Sequence, residues 1–152
     1  MVEIRDARMS DLDALRDIFR RAALANDDER EVLLANPDAL ELGSGPVREG
    51  RTRVATAADG QVVGFATAVT RGEVVEIEDL FVDPDWMGQG VGRRLVREIV
   101  VDARRRRARR VEVIANTHAL GFYRKVGFVV DREVSTRFRP ARRMRLDVGD
   151  CG

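Results

Sequence analysis

Cysteine is almost absent from this chain. Its one example, Cys151, is the next-to-last of 152 residues, so neither a disulfide framework nor a Cys-rich metal site can be built, and no metal is expected. Histidine is as scarce: His118 stands alone and reads as a surface or capping residue. Lys125 is the only lysine among 27 basic residues, a bias that reflects composition and carries no mechanistic weight. No apolar run approaches the ~18 residues needed to span a bilayer. The opening "MVEIRDARMSDLD" also lacks the apolar core of a signal peptide, so a cytoplasmic location without a membrane partner is expected. An excess of charge of either sign is missing too. The net charge of +1 argues against a dedicated nucleic-acid or membrane-surface protein. What remains is 44% hydrophobic and 35% charged, a globular chain whose length suits one domain over residues 1–152.

The first half opens with an alternating strand, "VEIRDA". Ser10 then reads as an N-cap for a helix whose Leu12, Leu15, Ile18, Phe19 and Ala22 share one face. A weaker helical stretch covers 27–41 with a break at "NPDA", and "GSGP" (43–46) reads as loop. Three strands follow as an antiparallel meander: "TRVATA", "VVGFATAVT" and "VVEIEDLFV", the last stopped by Asp83-Pro84. Val91, Leu95, Val96, Ile99, Val100 and Ala103 then form the apolar stripe of a helix reaching about residue 107. "VEVIA" (111–115) reads as a strand parallel to the one before the glycines. A short helix near 117–125 and strands at "FVVDR" and "RMRLDV" complete an α+β chain with a mixed, largely antiparallel sheet.

Between the third meander strand and the long helix lies "FVDPDWMGQGVGRRL", with glycines at 88, 90 and 92. A strand, a glycine-rich turn and a helix N-terminus make an anion site, where free N–H groups and the helix dipole converge. A Walker loop requires GxxxxGK followed by Ser or Thr, and "GQGVGRRL" has neither lysine nor hydroxyl there. The dinucleotide fingerprint GxGxxG fails because Arg93 stands where its third glycine belongs.

The stretch "LFVDPDWMGQGVGRRL" resembles instead the acetyl-CoA-binding motif of the GNAT superfamily of N-acetyltransferases, Gln/Arg-x-x-Gly-x-Gly/Ala. A second segment, "ANTHALGFYRKVGF" (115–128), resembles the superfamily's N-x-x-A-x-x-F-Y-x-x-x-G-F signature, at the usual distance. The resemblance implies a GNAT-like acyltransferase fold of about seven strands flanked by about four helices, with acetyl-CoA as co-substrate. It implies direct attack by a primary amine, small-molecule or protein, in a ternary complex. The amides of Gly88, Gln89, Gly90, Val91, Gly92 and Arg93 would hold the pyrophosphate. The backbone of Leu80, Phe81 and Val82 would pair with the pantetheine arm, an N–H of Phe81 or Val82 polarising the thioester carbonyl. Asn116 matches the asparagine that contacts the arm. Tyr123 matches the general acid, since a phenol near pKa ~10 donates to a thiolate whose thiol is near ~8.5.

The base stays open at this level. Glu76 and Glu78 share one strand face with Asp79 on the other, and Glu112 lies on the next strand. By resemblance, Glu76 and Glu112 occupy positions that different members use. The acceptor pocket falls on residues 24–46 and 135–142, and a two-fold dimer is the default assembly. Two other classes stand beside the enzyme: a non-catalytic acyl-CoA sensor, and a nucleic-acid-binding domain built on "ARRRRARR" (103–110), which more simply ends a helix. The motif has one departure, Met87 where Gln or Arg is usual. Cofactor binding is expected to survive it, because backbone amides carry the grip. A CoA titration of Met87→Gln measures what the departure costs: recovering one polar contact should tighten binding by no more than about tenfold.

Overall fold

The computed structural model describes residues 2–25, 27–116, 118–135 and 140–148. Strand β1 (Glu3–Asp6) is followed by a 3₁₀ turn at Met9–Asp11 and helix α1 (Leu12–Leu24). Next come α2 (Asp27–Ala35), a 3₁₀ turn at Pro37–Leu40 and the single turn α3 (Gly45–Arg48). The meander is β2 (Thr52–Thr56), β3 (Val62–Arg71) and β4 (Val74–Val82). A 3₁₀ turn (Pro84–Trp86) leads to α4 (Val91–Arg105), then β5 (Arg110–Ala115), α5 (Leu120–Val126), β6 (Val129–Ser135) and β7 (Pro140–Asp147). The seven strands form one sheet in the order β1-β2-β3-β4-β5-β7-β6, parallel at β4–β5 and antiparallel at β1–β2, β2–β3, β5–β7 and β6–β7. This is the expected α+β architecture.

Local details differ at two places. Ser10 does not cap the first helix: it lies inside the 3₁₀ turn, and the Asp11 carboxylate accepts from the Arg8 N–H at 2.7 Å. Arg5 also clamps Asp11 through both guanidinium nitrogens, at 2.8 and 3.0 Å. "GSGP" is not wholly loop either, since Pro46 falls in the first turn of α3, where its missing N–H costs nothing.

The chain divides into two compact units. The first comprises Met1–Thr67 and Asp79–Val96. Its core joins the buried face of α1, Leu12, Leu15 and Ile18, to Val54 of β2 and Phe65 of β3, with Phe19 and Phe81 packed against it. The Phe19 and Phe81 rings meet edge-on, centroids 4.8 Å apart. Each fully buried Leu, Ile or Phe contributes about 1.5–3 kcal/mol by leaving water. Thr52 and Thr67, register partners on β2 and β3, share a buried hydroxyl–hydroxyl hydrogen bond of 2.8 Å.

The second unit comprises Ala68–Glu78 and Arg97–Gly152. On β5, Val111, Val113 and Ala115 are buried, as are Ile99, Val100 and Ala103 of α4 and Met144 of β7. Helix α4 ends in a Schellman motif: Ala108 N–H donates to the Ala103 carbonyl and Arg107 N–H to that of Arg104. The motif needs a left-handed residue, and Arg107 supplies it at φ 61°. A side chain there is strained by about 1 kcal/mol. Arg107→Gly should therefore raise the thermal midpoint by about 2–4 °C, read by calorimetry; no rise would show that the strain is offset elsewhere.

Candidate functional site

The glycine loop is anchored from behind by Asp83. This carboxylate is only 4% exposed and takes both ends of the Arg21 guanidinium, at 2.9 and 2.8 Å. It also accepts from the Asp85 N–H at 2.9 Å, capping the 3₁₀ turn. Arg21 in turn holds Asp17 one helical turn earlier. The arginine hydrogen bonds hold the Asp83 carboxyl below its usual range, against the opposing effect of burial and with help from the Asp85 amide.

Beyond this anchor the backbone turns twice into the left-handed region, at Gly88 (φ 78°) and Gly90 (φ 81°). A Cβ at either would meet open space, so conformation rather than crowding inside the chain requires glycine there. Helix α4 takes its first bond from Arg94 N–H to the Gly90 carbonyl, 3.0 Å. Among the described residues, the N–H groups of Gly88 through Arg93 donate to no acceptor in the chain. Gly88, Gln89, Gly90 and Arg93 are exposed, whereas Val91 and Gly92 are buried. Met87, the departure from the motif, is 67% exposed.

Strand β4 fixes which backbone groups face outward. Asp83 N–H donates to the Val63 carbonyl at 2.8 Å, so by strand alternation Phe81 also turns its polar backbone toward β3. Leu80 and Val82 turn theirs the other way. Of the two expected carbonyl donors, Phe81 is thus committed to the sheet and Val82 is not. The parallel ladder with β5 runs from Val74↔Arg110 to Ile77↔Val113, while β4 itself continues to Val82.

Within the second unit, Tyr123 is 4% exposed on α5, its ring edge-on to Phe122 and Phe128 at 5.0 and 5.3 Å. Burial alone pushes its phenol pKa well above the ordinary value. Asn116 is exposed beyond the end of β5, and its Oδ1 accepts from the Ala119 N–H at 3.0 Å, ahead of α5. Glu76 and Glu112 are register partners on adjacent strands but differ sharply. Glu112 is buried and gripped by Arg110 (2.5 Å) and Arg143 (2.7 Å). Burial pushes its pKa up, but the two arginine hydrogen bonds outweigh this and leave it below the usual range. Glu76 is half-buried, with Arg71 at 4.0 Å, and Glu78 is exposed.

Leu80, Phe81, Val82 and the 88–93 loop thus belong to the first unit, and Glu76, Glu78, Glu112, Asn116 and Tyr123 to the second. Of the expected acceptor region, Asn26 and residues 136–139 lie outside the described residues, as does Cys151. Sequence reading missed Arg21, and gave Asp83 only the role of ending a strand. Asp83-Pro84 after a strand is a capping signal, but its partner 62 residues earlier has no local signature.

Residues 12–128 match the acetyltransferase (GNAT) family. The peptidyl-lysine N-acetyltransferase YjaB of Salmonella typhimurium is 35% identical over 133 residues, 86% of this chain and 85% of that protein. An uncharacterized N-acetyltransferase of Methanocaldococcus jannaschii is 32% identical over 96 residues, 57% of this chain; the match spans only 42% of that protein's length. Among solved structures, the PaiA N-acetyltransferase of Thermoplasma acidophilum, in complex with coenzyme A, superposes with a TM-score of 0.78 at 18% identity, covering 97% of this chain and 99% of its own.

The Asp83 anchor generates a pH prediction. Its folded pKa lies below the unfolded value near ~3.9, so its contribution is complete above that pH and disappears as pH falls through the folded pKa. Asp83→Asn should lose about 1.5–3 kcal/mol at pH 7 in urea unfolding, since charge-assisted hydrogen bonds to a buried group are broken. The difference from wild type should shrink below pH ~4; a constant difference down to pH 3 would contradict the assignment.

Proposed function

Because the chain belongs to the acetyltransferase (GNAT) family, we propose that it moves the acetyl group of acetyl-CoA to a primary amine by direct attack in a ternary complex. One observation carries the reading: six successive backbone N–H groups, Gly88 to Arg93, without acceptors among the described residues, at the head of a helix. They suit the pyrophosphate of CoA, whose charge the helix N-terminus favours. The pantetheine arm lies along Leu80–Val82, and the outward turn of the Val82 N–H supports it over Phe81 as partner of the thioester carbonyl. The Asn116 amide, its oxygen engaged with Ala119, has its Nδ2 to donate to the arm.

The amine lone pair attacks the thioester carbonyl carbon. Negative charge develops on oxygen, the C–S bond breaks, and the thiolate takes up a proton. Tyr123 is the donor, and the proton that the attacking nitrogen sheds as the amide forms goes to solvent, from which the phenol is restored. The Tyr123 phenol is protonated at neutral pH and already a weaker acid than the thiol it serves, and desolvation widens that gap, so its help is modest. The nucleophile begins as an ammonium near pKa ~10 and must lose a proton first. Glu112, neutralised by two arginines, is a poor acceptor of that proton. Glu76 takes the role, directly or through water, with Glu78 the exposed alternative on the same strand face. The peptidyl-lysine acceptor in YjaB's name makes a lysine ε-amine the first to test.

Two substitutions test the assignments by CoA release from acetyl-CoA with an amine panel. Tyr123→Phe should lower kcat by about 10–100-fold while the acetyl-CoA Kd holds. Wild type should show no alkaline limb from this group below pH ~10, the ordinary phenol value. Glu76→Gln should lower kcat/KM at pH 7 and recover as pH approaches the amine pKa near ~10. Unchanged pH profiles in Glu76→Gln would remove Glu76 as base. CoA binding without turnover on any amine would overturn the enzymatic reading.

A further inference from the structure

Gly64 lies inside β3, where a left-handed turn is not needed and a side chain would ordinarily strengthen the strand. Crowding explains its presence. A Cβ built on Gly64 would fall 2.9 Å from Val91 Cγ1, 3.1 Å from the Phe81 carbonyl oxygen and 3.4 Å from Leu95 Cδ1. Real side chains do not approach at 2.9 Å, so something would shift. The two nearest neighbours are the first residue of α4 and the backbone of β4 one residue before Val82. Val91 and Leu95 are fully buried and cannot swing away, and the Phe81 ring is set between Phe19 and Phe65.

We infer that Gly64 is a positioning residue for the cofactor: its missing side chain sets the distance between the α4 N-terminus and the outer edge of β4. The inference rests on the cofactor reading above. CoA is one molecule whose pyrophosphate and thioester are joined by a pantetheine arm of limited contour length; laid out along the β4 backbone it has little slack, so the two backbone sites must be spaced to match it. A wedge at position 64 pushes on both at once, by way of Val91 on one side and the Phe81 carbonyl on the other. Neither site need lose its own geometry; only their separation changes. A ligand that bridges the two feels the wedge, and a ligand that occupies one does not.

The experiment compares the whole cofactor with its halves. In Gly64→Ala, acetyl-CoA affinity by calorimetry should fall about tenfold, the scale expected for sub-ångström misplacement. Adenosine diphosphate carrying the 3′ phosphate, which lacks the arm, should bind within about twofold of wild type. Acetylpantetheine, which lacks the nucleotide, should keep its kcat/KM within the same range. Amine KM should not move. Gly64→Ala/Val91→Ala removes the 2.9 Å contact and should recover most of the acetyl-CoA affinity. Val91→Ile provides a second wedge from the opposite side with Gly64 intact, and should show the same selective loss should Gly64→Ala not fold. Equal losses for cofactor and both halves, or no rescue in the double variant, would overturn the inference and leave Gly64 a packing residue. Failure of wild type to bind acetyl-CoA would instead overturn the cofactor reading on which it rests.

Discussion

The Arg21–Asp83 clamp is the interaction on which the candidate cofactor loop depends. A carboxylate removed from water at the end of a strand is costly unless it is fully hydrogen-bonded. Here two guanidinium nitrogens and the Asp85 amide satisfy it. The chain thereby gains a fixed point between β4, which ends at Val82, and a loop that makes few bonds of its own. Arg21 is itself held by Asp17, so the position of α1 and the exit angle of the loop are set by one connected group of charges. The aromatic contacts of Phe19, Phe81 and Phe65 run beside this network and give the same segment an apolar floor.

That rigid back explains how the front of the loop can leave its amides without partners. Unsatisfied N–H groups are tolerated at a helix start because they face solvent or a ligand. They become a binding site only when the surrounding backbone does not collapse to satisfy them. Two left-handed glycines hold the loop open in this sense, and the Asp83 cap and the buried Val91 fix its two ends. In the second unit the logic is reversed. Charge there is neutralised in place, as Glu112 is by Arg110 and Arg143, and the one strongly perturbed phenol owes its shift to burial alone.

Much of this was legible in the sequence for definite reasons. The α4 stripe and the alternation of β2 to β5 are short-range patterns, and the structure reproduces them to within a few residues at the ends. The glycine loop was legible because positive φ leaves a residue signature. What was not legible depends on distant partners. Ser10 falls inside a 3₁₀ turn, and it is Asp11, held by Arg5 from the preceding strand, that bonds back to the Arg8 N–H. Glu76 and Glu112 looked equivalent as bases until arginines from β5 and β7 were seen to grip only one of them. Which of Phe81 and Val82 turns its polar backbone away from β3 depended on the direction of a single hydrogen bond, from Asp83 to Val63. Gly64 gave no signal, since a glycine in a strand looks the same whether it is tolerated or required.

The buried hydroxyl pair of Thr52 and Thr67 bears on how the meander finds its alignment while it folds. A slip of one residue between β2 and β3 would turn every side chain to the wrong face, which the apolar core already forbids. A slip of two residues keeps the faces correct and escapes that check. It would, however, set Thr52 against Phe65 or Val69 and strand two hydroxyls in an apolar interior, at about 1–3 kcal/mol each. Polar complementarity at one rung therefore supplies the proofreading that hydrophobic patterning, with its period of two, cannot provide.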